Sequence, residues 1–145
     1  MSVADYRAAR ELIEQEGGGD FVGDQPDELV AEAERTLGLE FPESYRAFVS
    51  EMGAGDVGGE EFFGIVDADF HDSAIPDAVW LTLRERDDSG LPAGLVLIHA
   101  PGDCGYHAID ADGHVVPWQP RGAPGEPVAS SFGEFFRRTV EDAVR

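Results

Sequence analysis

The hydrophobic residues of this 145-residue chain keep a helical period up to Met52, lose it from Glu61, and regain it at Phe132. A chain with helices at both ends and short strands between them buries its apolar faces by laying the helices on a sheet. Val3, Tyr6, Ala9 and Ile13 recur at helical spacing after the capping pair Ser2 and Asp5, and Gly17-Gly18-Gly19 ends the run. Pro26 stands where a first helical residue belongs, Leu29, Val30, Ala33 and Leu37 follow, and Gly38 stops a helix over 26–37. Pro42 opens a third helix with Tyr45, Phe48, Val49 and Met52 on one face and Gly53 as its stop. These two are expected to form a tight antiparallel pair.

The middle of the chain reads as short apolar runs bounded by turn residues. Phe62 to Val66 is the first expected strand, Asp77 to Arg86 a helix, and Leu95 to Ala100 and Tyr106 to Asp110 two further strands. Asp112-Gly113 is a hairpin turn that returns the chain through His114 to Trp118. Pro117, Pro120, Pro124 and Pro127 then mark a loop, since each lacks a ladder donor. Ser131 and Glu134 form a capping box for a closing helix, along which Phe132, Phe136, Val140 and Val144 step by four. The expectation is one α+β domain over 1–145: a mostly antiparallel twisted sheet with the N-terminal helices and the closing helix packed on one face.

Charge sets the partner class. Thirty acids oppose ten bases, a net charge of −20, and every base is Arg. Phosphate binding relies on cations that displace counterions, so direct nucleic-acid or anionic-membrane binding is not expected, and a basic protein partner is. The absence of Lys and Asn fits a GC-rich coding bias, whereas the acid excess answers either to a partner or to a saline interior. The lone Cys104, the N-terminal residues without a basic, apolar leader pattern, and the lack of a long apolar run read as a cytoplasmic, non-membrane protein.

The motifs that could carry chemistry each meet a physical objection. Gly53-Ala54-Gly55-Asp56-Val57-Gly58 matches G-x-G-x-x-G, but a helix precedes it and a strand follows, the reverse of a dinucleotide site, so it reads as a flexible helix-to-strand loop. Asp67, Asp69, His71 and Asp72 are dense in cation ligands, yet a calcium-loop register puts Asp72 at the turn glycine and Ala78 at the bidentate acid. They read as a solvated acidic loop. Cys104, His107 and Asp110 have the residue types of a thiol triad, but strand alternation sends His107 to the face opposite Tyr106 and Asp110. His99 and His114, on neighbouring strands, lack a third ligand for zinc. No catalytic residue, metal or cofactor is expected.

From Ala47 to Pro120 fourteen acids face only Arg84 and Arg86, a net −12, which favours fast encounter with a basic partner. Read together, the motifs resemble the SUKH superfamily of Smi/Knr-type proteins. Residues 29–48 (LVAEAERTLGLEFPESYRAF) are similar to its "E-x-x-L-G-x-x-L-P-x-x-Y-R-x-F" signature, and residues 91–98 (LPAGLVLI) to its "L-P-x-x-L-V-x-I" strand entry. Residues 105–110 (GYHAID) and 128–136 (VASSFGEFF) resemble its sheet and its "A-x-S-F-x-E-F" closing helix. The resemblance covers residues 26–140 and leaves the helix and Gly-rich turn of 1–25 outside it; Met52-Gly53 stands where the family commonly has Asn-Gly.

It implies a monomeric or weakly dimeric α+β immunity protein that neutralises a cognate toxin, often a nuclease, without catalysis. A regulatory or scaffold protein that binds a basic protein partner is the alternative, because a fungal branch of the family serves in signalling. On that reading Asp56, Glu60, Glu61, Asp67, Asp69 and Asp72 steer the partner, and Tyr106 and Trp118 are the aromatic anchors.

Overall fold

The computed structural model describes residues 2–72, 77–102 and 105–144. Five helices and six strands lie along them: α1 (Ser2–Gln15), β1 (Asp20–Phe21), α2 (Asp27–Leu37), α3 (Glu43–Glu51), β2 (Gly55–Val57), β3 (Glu60–Phe62), α4 (Ala78–Asp88), β4 (Val96–His99), β5 (Tyr106–Ile109), β6 (Val115–Trp118) and α5 (Phe132–Ala143). The strands form one antiparallel sheet in chain order, β1-β2-β3-β4-β5-β6.

The helix ends obey the signals in the sequence, shifted by a residue. Pro26 and Pro42 are cap residues with extended backbone, one position before the first helical residue, where a missing N–H costs nothing. Gly38 closes α2 in the left-handed conformation, and its N–H and that of Leu39 satisfy the carbonyls of Arg35 and Glu34. The Glu34 carboxylate then ties α2 to the start of α3 by accepting from Phe41 N and pairing with Arg46. At α5, Ser131 Oγ accepts from Glu134 N, while Glu134 Oε1 reaches back to Ser130 N, so the box is displaced by one residue on its return side. Ser44 Oγ of α3 accepts from Gly133 N and satisfies a further donor of that first turn in the core.

The stretch Gly53 to Gly58, expected as a flexible loop, is instead a strand and its turn. Gly55–Val57 pairs with Glu60–Phe62 across Gly58-Gly59, both with positive φ, as tight hairpin turns require. Gly55 has no room for a side chain, because a Cβ there would collide with the β1 backbone at Asp20 and Phe21. The expected strand over 62–66 is correspondingly displaced to Glu60–Phe62. Beyond Phe62 the chain leaves the ladder: Phe63 N bonds Ile98 O, Ile65 N bonds Gly53 O, and Gly64 bridges Asp77 at the start of α4. Pro117 lies within β6, which is tolerated because β6 is the edge strand.

Helices cover both faces of the sheet. Tyr106 and His107 are consecutive on β5 and point to opposite faces; Tyr106 reaches Glu85 of α4, and His107 lies against Phe135 of α5. α4 therefore packs on the face away from α5, where the sequence reading placed all helices on one face. The α5 side holds the main core. Phe48 of α3 touches the rings of Phe21, Tyr45, Phe62, Phe132 and Phe136, and Tyr6 of α1 stacks on Phe136.

Truncation of Phe136, fully buried and touching Tyr6, Phe48, Phe62 and Phe132, is expected to cost about 3–5 kcal/mol. Urea unfolding of Phe136→Ala measures it; a loss below about 1 kcal/mol would contradict the packing described.

Candidate partner-binding surface

Strand register gathers acids that are far apart in sequence. Asp20 of β1 lies directly opposite Asp56 of β2, and Asp56 directly opposite Glu61 of β3. The row stands on the sheet face away from α5, since the adjacent residues Phe21 and Phe62 turn toward Phe48 and Phe136. Directly opposed like charges weaken a sheet, and among the described residues no cation bridges any of the three. Partial burial, reinforced by the neighbouring Asp56, pushes the Glu61 carboxyl above its ordinary range.

The acidic loop of 67–72 is held by an Asx turn, in which Asp67 Oδ1 accepts from Asp69 N at 2.9 Å, and by a bond three residues on, in which Asp69 Oδ1 accepts from Asp72 N at 3.2 Å. Its Phe70 is buried, whereas Asp67, Asp69, His71 and Asp72 are exposed. Phe70 and His71 meet Trp80, Leu83 and Arg84 of α4 around a cleft of about 260 Å³, so the loop joins the α4 face. Behind it, the buried Asp77 caps α4 through Trp80 N and holds Val66 N. Burial raises its carboxyl against the opposing pull of those hydrogen bonds.

Glu60 departs from the surface expected for it. Strand alternation turns it away from Glu61, and its Oε1 lies 2.7 Å from Nε2 of buried His99. His99 Nδ1 in turn lies 3.0 Å from His107 Nδ1, with the Phe62 and Phe135 rings against His99. A His99 tautomer with its hydrogen on Nε2 would donate to Glu60 and accept at Nδ1 from His107. The histidine beside His99 is thus His107 rather than His114, because β4 pairs with β5. His107 and Asp110 do not meet: Asp110 Oδ1 accepts from Asp112 N and His114 N and fastens the hairpin turn. Cys104 lies outside the described residues. Asp110, Asp112 and His114 are the one set of three metal-ligand types that converge among the described residues, and the turn accounts for Asp110 there.

The two aromatic candidates separate. Trp118 is only 1% exposed and donates Nε1–H to Gly122 O, so it is core. Tyr106 is half-buried, stacks on Trp118 at 6.1 Å between centroids, and donates its hydroxyl to Glu85. The sequence reading missed Trp80, half-buried on α4 with the Arg84 guanidinium 5.2 Å above its ring. Only the structure sets it apart, as the residue left half-exposed among the buried Ala78, Val79, Leu81 and Thr82. Trp80, Arg84, Glu85 and Tyr106 line a second cleft of about 370 Å³.

The opposed acids make a stability prediction. Asp56→Asn should stabilise the fold by about 0.2–1 kcal/mol at pH 7 in dilute buffer. A carboxyl raised in the folded state adds stability that is complete below its unfolded value near 4.5 and is lost as pH rises through the folded one. Glu61→Gln should therefore flatten the rise in stability on acidification from pH 7. Urea titrations across that range measure both effects; an Asp56→Asn loss, or an unchanged pH profile in Glu61→Gln, would refute the repulsion.

A solved structure described as the crystal structure of a protein from Pseudomonas syringae pv. tomato matches with a TM-score of 0.71 at 20% identity, covering 90% of this chain and 98% of that one. The likeness shows the fold. No curated protein matches in sequence. Among the described residues no helix is long and apolar enough to cross a membrane. The model of the family SUKH_5, SMI1-KNR4 cell-wall, matches residues 3–141, so it takes in α1, which the sequence resemblance had left out. SUKH proteins are generally immunity proteins of polymorphic toxin systems and typically non-enzymatic. A match running from the first turn of α1 into the last turn of α5 means that the chain belongs to the SUKH_5 (SMI1-KNR4) family.

Proposed function

We propose that this chain is a cytoplasmic immunity protein that binds a cognate basic toxin domain through its acidic α4-side face and neutralises it by occlusion, without catalysis, metal or cofactor. The observation that carries the reading is the row Asp20, Asp56 and Glu61, like charges in register and unbridged by any cation among the described residues. A fold that keeps opposed carboxylates loses stability, and a cationic partner relieves that repulsion on docking. Asp56, Glu61, Asp67, Asp69 and Asp72 steer the partner, and Glu60, with 39% of its side chain exposed, adds charge at the border. Tyr106 is the anchor, stiffened from behind by Trp118. The "cell-wall" wording of the family description favours a second reading, a regulatory or scaffold protein that uses the same face for another basic protein.

Stopped-flow association with the product of the adjacent gene tests the first reading. Association should slow steeply with salt, as the Debye length shrinks from about 10 Å at 0.1 M to about 3 Å at 1 M. Glu61→Arg combined with Asp67→Arg should lower the association rate about tenfold at low salt and leave the dissociation rate within about twofold. Salt-insensitive association would defeat the interface, and an adjacent gene product that does not bind would favour the regulatory reading.

A further inference from the structure

A groove lies away from the acidic row. The α2–α3 connection forms one wall, the approach to β4 a second, and the tip of the β5–β6 hairpin a third; together they enclose a groove of about 590 Å³. Its apolar lining comes from Leu39, Phe41, Pro42, Val96 and Ile109. Its charged lining consists of Glu40, Asp110 and Asp112, with no Arg or His among the lining residues. Asp110 is occupied by the hairpin turn, whereas Glu40 and Asp112 are exposed, and neither carboxylate has a hydrogen-bond or ion-pair partner among the described residues. Gly94, on the second wall, has ordinary backbone geometry and nothing within 4 Å of where a Cβ would stand.

We propose that this groove is a docking site for an arginine side chain, with its flanking backbone, presented by a protein partner. The carboxylates of Glu40 and Asp112, unpartnered among the described residues, beside an Asp110 that is held by its turn and lies 3.9 Å from His114 Nδ1, make a cationic occupant the complementary one. Apolar walls favour guanidinium over ammonium, because guanidinium is the more weakly hydrated, and its planar fork matches carboxylates. The volume lies within the range of formed ligand sites and exceeds one side chain, which leaves space for the peptide on either side. The site deepens the partner-binding reading, since it adds a second contact formed by other elements than the acidic row.

The test needs no toxin. Nitrogen-15 amide spectra of the full chain are recorded during titration with the peptide Ac-Gly-Arg-Gly-amide, its lysine analogue, and its uncharged isostere with citrulline. The arginine peptide should shift the amides of Leu39, Gly94 and Gly113 with millimolar saturation, the lysine peptide should bind at least threefold more weakly, and citrulline at least tenfold. Gly94→Phe fills the groove without backbone strain, and Glu40→Gln with Asp112→Asn removes charge while leaving the Asp110 turn intact; both should abolish the shifts in a chain that otherwise keeps its spectrum. Equal response to citrulline, shifts that persist in both variants, or saturation of these amides by magnesium chloride but not by the arginine peptide would overturn the proposal. Failure here leaves the acidic-row interface standing, and failure of the adjacent gene product to bind leaves this site standing.

Discussion

The rest of the structure hangs on the aromatic contact between α3 and α5. Phe48 meets Phe132 and Phe136 with ring centroids 5.2 Å apart, and through these rings come the sheet, by way of Phe62, and α1, by way of Tyr6. The polar contacts around it are subordinate but aligned with it. Ser44 caps the first turn of α5, Arg137 of α5 pairs with Asp5 of α1, and Glu51 of α3 takes the Tyr6 hydroxyl and Arg10. With α1, α3 and α5 together on one face, the opposite face of β1–β3 is left for solvent.

That division of faces gives the acids their meaning. Strand alternation admits only one outward residue per pair, and on β1, β2 and β3 it is Asp20, Asp56 and Glu61. A solvent-facing ladder built for stability alone would alternate sign or use Thr and aromatic residues. Here the repulsion is retained, on the face where Trp80 and Tyr106 also stand half-exposed. Charge that disfavours the free protein and aromatic rings partly open to solvent are the ingredients of a rapid, specific encounter with a basic surface.

Much of the frame was legible in the sequence, because helical period and capping chemistry are local. Pro26, Gly38, Pro42 and the Ser131 cap lie within a residue of their expected positions, and the Asp112-Gly113 hairpin joins the strands it was expected to join. What the sequence concealed depends on pairing. Gly55 and Asp56 have poor strand propensity and become a strand only because β1 and β3 flank them closely. Glu60 and Glu61 look equivalent in a charge run, yet the pleat sends one to His99 and the other to Asp56. The groove beside Glu40 and Asp112 brings 38–45 against 93–96 and 109–113, and no local pattern announces it.

The central claim is that the face opposite α1, α3 and α5 receives the partner. Hydrogen–deuterium exchange of the chain, alone and saturated with the product of the adjacent gene, tests it most directly. The account predicts that bound partner slows exchange in β2 and β3, in the 67–72 loop and along α4, while α1 and the outer side of α5 exchange as in the free chain. Protection confined to α1 and α5, with β2, β3 and the acidic loop unchanged, would contradict it.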